Sequence, residues 1–432
     1  MIQNEHRKTG RIDLEATETA LRLVMHDAGA VMLTKLLQFP IPADDQRNLP
    51  CGCGQQAHYR ELRVKSFLSV LGETAVSRPY YLCKHCGTGQ SPVDHDLDIE
   101  KKEHSPGVRR MEAFVGQAAP FKNGSEQLKV LAGIEVTAKS VERTAEEIGA
   151  DIAARHQQEI DKFVQLKLPV IVGKKYPCMY IEMDGTGINV VKKETVGRQG
   201  KIAGKPAHTR EVKLGAVFTQ SGWDAEGYAI RDPDSTTYVG AIETAEEFGC
   251  RIYTEAWNRG WANAEKKIVI GDGAIWIWNL ADQHFPGAMQ IVDQYHARQH
   301  LWELARKLYP NDERQKDWMK VHQPLLDNGR IKKLTVALRA MAEANPSVAE
   351  KFRTEADYFH RNALRMRYPK FRRLHLFVGS GVIEAGCKTV IGERLKQSGM
   401  FWTVGGANKI IALRCCYLNG RFEDHWENRR AA

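Results

Sequence analysis

Two short apolar runs, both beyond residue 170, each end on an aspartate that is followed at once by glycine. They are Met179-Tyr-Ile-Glu-Met-Asp184-Gly and Lys267-Ile-Val-Ile-Gly-Asp272-Gly. Runs of this length, rich in β-formers, read as buried strands. Where two such strands lie side by side in one sheet, their terminal carboxylates meet at one edge. Asp-Gly is also a turn signal, so each aspartate has a purely conformational reading of its own. Further strands are expected at Glu211–Thr219, at Tyr228–Ile230 with Tyr238–Ile242, and at Met289–Asp293. Helical spacing fills Ala245–Ala264 and Trp276–Ala281. From His296 to Phe371 the chain reads helical and charged, broken by Pro310, Pro324, Pro346 and Pro369. A last helix spans about Val382–Gln397. This order predicts an α/β domain with one mixed sheet: three antiparallel strands, two more beside them, and helices over its faces.

Glu384 on that last helix supplies a third acid. Glu393 competes with it, but nine residues at 3.6 per turn put the two on opposite faces, and the Gly379-Ser-Gly before it favours Glu384. Three converging carboxylates repel one another unless cations sit between them. Hard divalent cations with oxygen ligands suit such a set, Mg²⁺ before Zn²⁺. A pair of these ions serves phosphodiester transfer. Lys388, one turn beyond Glu384, either meets a phosphate or pairs with Glu384.

The first half has a different texture. Leu14, Leu21, Val24, Met25, Ala28, Val31 and Met32 recur at helical spacing,. Cys51-Gly-Cys53 and Cys83-Lys-His-Cys86 then bracket a hairpin that turns near Gly72. Four thiolates around a ribbon are zinc-ribbon-like, with His58 and His85 as nearby alternatives. A redox role for the second pair lacks the βαβ context it needs. Cys178, Cys250, Cys387, Cys415 and Cys416 read as scattered core thiols. Residues 97–165 alternate short helices with Gly-containing turns, which is helix-turn-helix grammar. The expected divisions are 1–50 helical, 51–96 zinc-ribbon-like, 97–168 helix-turn-helix-like and 169–432 α/β with a helical insertion at about 297–375.

Sixty-two Lys and Arg against 53 Asp and Glu give a net charge of +9, which favours a polyanionic partner, nucleic acid before a membrane surface. No apolar run is long enough to span a membrane. The residues after Met1 lack a secretory h-region, so a cytoplasmic location is expected. Lys139, Ser140 and Arg143 on the last helix of the helix-turn-helix region are candidates for DNA contact. Lys192, Lys193, Arg198 and Lys201, with Lys205, Arg210 and Lys213, crowd the hairpin beside Asp184 and suit phosphate contacts. Phe401, Trp402, Trp276 and Trp278 either stack on an unpaired base or belong to the core.

The blocks Met183-Asp184-Gly-Thr-Gly, Gly271-Asp272-Gly-Ala and Gly379-Ser-Gly-Val-Ile-Glu384, with the tail Arg394-Leu-Lys-Gln-Ser-Gly-Met-Phe-Trp402 and Gly405-Gly-Ala-Asn-Lys-Ile-Ile-Ala-Leu-Arg414, resemble bacterial insertion-sequence transposases. The resemblance is to the Kra-type family, related to the Mutator-like group, and runs from the Cys pairs to Arg414. It implies an RNase H-like catalytic domain with a DDE triad, mapping here to Asp184, Asp272 and Glu384. It implies two Mg²⁺ or Mn²⁺ ions on those acids, double-stranded DNA as partner, and a homo-oligomer when two ends are synapsed. It also implies a site role for His296 in Asp293-Gln-Tyr-His296. Asp293 by itself reads equally as a helix cap. The expected activity is DNA cleavage followed by 3′-OH strand transfer. The alternatives are an RNase H-like nuclease or resolvase without strand transfer, and a catalytically inactive DNA-binding relic.

Overall fold

The computed structural model describes residues 7–8, 11–173, 175–200 and 206–428. The chain divides into two compact units, Met1–Ala145 and Glu146–Ala432.

The first unit begins with two short paired strands, β1 (Arg7–Lys8) and β2 (Arg11–Ile12), and the helix α1 (Leu14–Leu36). Asp13 caps α1 by accepting from the Ala16 N–H at 3.1 Å,. Ala30 alone is buried on this helix. Leu21, Met25 and Met32 are exposed, so the apolar stripe read from the sequence is not a core face of this unit. Strands β3 (Asn48–Pro50), β4 (Gln56–Ser69), β5 (Gly72–Leu82) and β6 (Gly89–Gln90) form an antiparallel sheet in that order. Its buried apolar residues fall into small clusters, one of them only Cys51, Ala57, Tyr81 and Cys83. Helices α2 (Pro92–Asp96), α3 (Pro106–Ala118) and α4 (Phe121–Gln127) follow, and α4 runs on as a π turn to Ala132. Ser105 caps α3, with Pro106 at its first position, the pairing that suits a helix start. The long helix α5 (Ala138–Val164) carries the chain from the first unit into the second.

In the second unit the strands are β7 (Tyr176–Asn189), β8 (Thr209–Gln220), β9 (Gly222–Trp223), β10 (Ala229–Ile230), β11 (Thr237–Ala241), β12 (Ala264–Gly271) and β13 (Met289–Val292). One five-stranded mixed sheet runs in the order β11-β8-β7-β12-β13. β7, β8 and β11 are antiparallel neighbours, and β12 and β13 run parallel to β7. The expected third strand is split. Ala229–Ile230 pairs with Gly222–Trp223 as a separate ribbon, and only Thr237–Ala241 joins the sheet.

The helices are α6 (Ala245–Asn258), α7 (Ile275–His284), α8 (Gln294–Leu308), α9 (Asp312–Asp327), α10 (Ile331–Ala344), α11 (Ala349–Arg361), α12 (Tyr368–Arg373), α13 (Gly381–Gly386), α14 (Glu393–Leu395), α15 (Val404–Leu418) and α16 (Phe422–Asn428). Thr244 and Glu247 form a reciprocal capping box that starts α6,. The insertion helices α9–α12 do not form a separate core. Trp318, Leu334, Phe352 and Phe359 belong to the same buried cluster as Tyr180, Ile181, Val269 and Ile291 of the sheet. The outer edge of β11 is closed by side chains of α15 and of its C-cap residue, Asn419. The Asn419 amide accepts from Tyr238 N–H at 2.7 Å and donates to Tyr238 C=O at 2.9 Å. Asn408 does the same for Ile242, at 2.8 and 3.3 Å.

Two sequence expectations change in detail. Pro324 does not break a helix but lies in the last turn of α9, which goes without the one bond that position 324 would give the Lys320 carbonyl. The expected helix Val382–Gln397 is not uniform, because Cys387–Gly392 winds as a π-helix between α13 and α14. The 3.6-residue phase argument therefore does not apply across it. Glu393 meets Arg414 at 3.4 Å. Among the described residues no helix is long and apolar enough to cross a membrane.

Candidate functional site

The register of the sheet brings its acids to one edge. Ile270 of β12 is level with Glu182 of β7, so two residues on, Asp272 comes level with Asp184. Gly271 is level with Val292 of β13, so Asp293 follows beside Asp272. Side chains alternate along a strand, which puts Glu182 and Asp184 on the same face of β7.

Each acid has fixed partners. Asp184 accepts from the Gly185 N–H at 2.6 Å and lies 3.4 Å from the Cys387 thiol. Burial raises its carboxyl above the usual range, and Asp272 adds to the rise. Asp272 closes its own turn by accepting from the Ala274 N–H at 2.8 Å, which is the conformational role an Asp-Gly pair suggests. Gly273 has a φ of +100° and presses against Tyr358, whose ring a Cβ would meet at 2.5 Å. No larger residue fits there. The Tyr358 hydroxyl donates to the Asp272 carbonyl at 2.9 Å.

Asp293 is fully buried. Its Oδ1 accepts from the N–H groups of Tyr295 and His296 at 2.6 and 3.2 Å, capping α8. Its Oδ2 accepts from the Ser380 N–H at 3.1 Å and from the Ser380 hydroxyl. One side chain thus joins the end of β13 to the turn that starts α13. Glu384, on α13, is exposed and lies 3.4 Å from the Ser380 hydroxyl. Burial, then Asp293 and Asp184, raise its carboxyl.

Glu182 is the residue the sequence reading missed. It is fully buried, accepts from the Ile383 N–H at 2.8 Å, and so caps α13 from the sheet. Its second oxygen has no hydrogen-bond partner among the described residues. Burial, with Asp293 and Glu384 nearby, pushes it up to about 8. The available signal was a glutamate inside an otherwise apolar strand, since buried acids are rare unless tied to something. His300 was missed as well. It stands one helical turn after His296, and the two Nε2 atoms are 3.1 Å apart.

The acids perturb one another, but Asp184, Asp272 and Glu384 do not close to within 4.8 Å as a set; among the described residues only Cys51, Cys53, Cys83 and Cys86 do so. The cysteines meet in pairs, Cys51 with Cys86 at 3.5 Å and Cys53 with Cys83 at 3.6 Å. Thiolates about 2.3 Å from a tetrahedral zinc ion stand about 3.8 Å apart, so this group can hold zinc. Hydrogen bonds with Thr88 lower the Cys86 thiol, whereas the neighbouring thiols raise Cys53. His58 is not part of the group; it meets Asn48 at 2.6 Å.

The remaining candidates are spread over both units. In the first, Ser140 donates its hydroxyl to the buried Glu112 at 2.7 Å. Lys139 pairs with Glu142 at 2.9 Å, and Arg143 is exposed. In the second, Lys192, Lys193 and Arg198 are all exposed. Lys201 and Lys205 lie outside the described residues. Arg210 donates to the Glu194 carbonyl at 3.3 Å, and Lys213 is tied to Glu211 and the Glu243 carbonyl at 3.1 Å. Lys388 is exposed and forms no ion pair with Glu384 among the described residues. Trp278 and Trp402 are buried, so neither presents a free face to a base; Phe401 is exposed.

Fold and site together define a mixed α/β protein with carboxylates gathered at one sheet edge and a separate four-cysteine module. The chain belongs to the uncharacterised protein family UPF0236, whose model matches residues 54–430. No curated protein matches it. Among solved structures it is similar to the Drosophila P element transposase strand transfer complex, with 10% identity and a TM-score of 0.26, over 78% of this chain and 84% of that one.

Proposed function

We propose that this chain is a DDE-type transposase of the insertion-sequence kind, in line with its Kra-type motifs, and that its second unit is an RNase H-like catalytic domain. One observation carries the reading. A sheet of three antiparallel strands followed by two parallel ones sets Asp184 and Asp272 level on adjacent strands, and the helix bearing Glu384 is tied to that same edge through Glu182 and Asp293.

Asp184, Asp272 and Glu384 form an all-oxygen donor set of the type that suits Mg²⁺ or Mn²⁺. Carboxyls already raised by burial and by one another gain most from a divalent cation,. Two ions bound there would supply an activated nucleophile and a stabilised leaving oxygen. The chain's own part is positioning. Asp293 and Glu182 fix the helix of Glu384, Tyr358 buttresses the turn of Asp272, and His296 orients or accepts a proton from the attacking hydroxyl. Zinc on the four cysteines holds the hairpin module together. Lys139 and Arg143 in the first unit, and Lys192, Lys193, Arg198 and Lys388 in the second, are the proposed contacts to double-stranded DNA. Two transposon ends cut together call for a homo-oligomer.

The bonds that tie Asp184 and Asp272 to their own turns favour a second reading, a DNA binder without catalysis. One experiment separates the two. DNA flanking the native gene is incubated with wild type or Asp272→Asn and Mg²⁺ or Mn²⁺. Metal-dependent cuts ending in 3′-OH, lost in the variant, support the enzyme. Joined products select transposase over nuclease. Equal binding by both proteins with no cleavage, host extract included, selects the silent binder.

A further inference from the structure

Behind His296 runs a chain of side chains that leads into the helical insertion. His296 Nε2 lies 3.1 Å from His300 Nε2 on the next turn of α8. His300 Nδ1 lies 2.6 Å from Glu355 Oε2 on α11. Lys351, one turn earlier on α11, meets the other oxygen of Glu355 at 2.6 Å. The His300 ring is stacked on Tyr358, with centroids 4.2 Å apart and planes 17° from parallel. Tyr358 in turn holds the Asp272 carbonyl.

The hydrogen bonds constrain the protons along this chain. Burial raises the Glu355 carboxyl, but the hydrogen bonds from His300 and Lys351 outweigh it and hold Glu355 below its ordinary range. A carboxylate only accepts, so His300 Nδ1 carries the proton. Where His300 carries that proton alone, its Nε2 is bare and accepts from His296 Nε2–H,. His296 is left with its proton on Nε2 and a bare Nδ1.

We propose that His300 and Glu355 are positioning residues that fix this tautomer of His296, making the insertion a working part of the acid site. The inference rests on the catalytic reading above for its purpose, though not for its geometry. When a hydroxyl gives its proton to His296 Nδ1, the Nε2 proton of His296 passes to His300 Nε2. One proton enters and one moves on. The charge comes to rest on His300, against the carboxylate of Glu355. The arrangement follows the general logic of a base oriented by a third group.

The test is a long-range ¹H–¹⁵N correlation spectrum of the full chain with ¹⁵N-labelled histidine, the two residues assigned through His296→Gln and His300→Gln. The expected wild-type result is His300 protonated at Nδ1 and His296 at Nε2. In Glu355→Gln the single His300 tautomer gives way to a mixture. A wild-type His296 protonated at Nδ1 overturns the proposal, and so does an unchanged pair in a folded Glu355→Gln. If that variant does not fold, the wild-type spectrum decides alone. The expected tautomers in a protein that cuts no DNA uphold the relay and sink only the transposase reading. Where DNA is cut, Glu355→Gln lowers kcat by about 10- to 100-fold, the range typical of residues that orient a working histidine, with KM for DNA unchanged. A loss confined to KM overturns it.

Discussion

Asp293 accepts from three N–H groups and one hydroxyl while wholly buried. Asn in its place turns an NH₂ group toward donors. Asp293→Asn is therefore expected to destabilise the chain by roughly 2–3 kcal/mol, the scale of a buried polar group left unsatisfied, read as a lower urea midpoint. In the first unit the buried Glu112 collects Ser140 and Thr144 at 2.7 Å and His104 at 3.1 Å. The Glu112 hydrogen bond raises the His104 imidazole above its ordinary 6.5, and burial opposes the rise. A histidine raised on folding stabilises the folded state fully below its unfolded pKa, and the benefit fades as pH climbs through the folded value. His104→Gln should thus cost more stability at pH 5.5 than at pH 8.5, by about 1 kcal/mol for the lost charged hydrogen bond. Equal losses at the two pH values would remove the charged pair from the account.

At the scale of elements, the β11 edge is closed by amides instead of by another strand. Asn408 on α15 and Asn419, which caps its C-terminus, stand eleven residues apart, three helical turns, and so share a face,. Asn419→Ala leaves Tyr238 N–H and C=O without these partners. It should lower stability by about 1–3 kcal/mol and raise light scattering near the unfolding midpoint, because an open strand edge invites pairing between chains. Strands β7 and β12 were legible because an apolar run ending in Asp-Gly carries both its length and its stop. The hairpin between the cysteine pairs was legible for a similar reason. Glu182 was not, since nothing local says that an acid in a strand will cap a helix two hundred residues later. The link from His300 to Glu355 spans 55 residues and has no period to betray it. The π turn at Cys387–Gly392 was hidden because its residues would serve an α-helix equally well.

At the scale of the whole molecule, the two compact units rest on different supports. The hairpin module buries small apolar clusters, one around its cysteines and one around Phe67, Val76 and Ile99, whereas the second unit buries one large cluster shared by sheet and insertion. Calorimetry is expected to resolve two transitions, with one zinc ion per chain by metal analysis. A strong chelator, or Cys83→Ser, should lower the first by several degrees or abolish it and leave the second in place. A single transition that ignores the chelator would remove zinc from the first unit's stability. Sharing a core with the insertion also sets a timetable. Asp272 leaves the ribosome 384 − 272 = 112 residues before Glu384, roughly 6–20 s at ordinary rates of synthesis. Through that interval the nascent chain has two aspartates but lacks the turn at Ser380 and the α15 amides that seal the sheet. The acid edge is therefore closed only after the whole insertion has been made, so Asp184 and Asp272 wait for Ser380 and Glu384 before their sheet edge is complete.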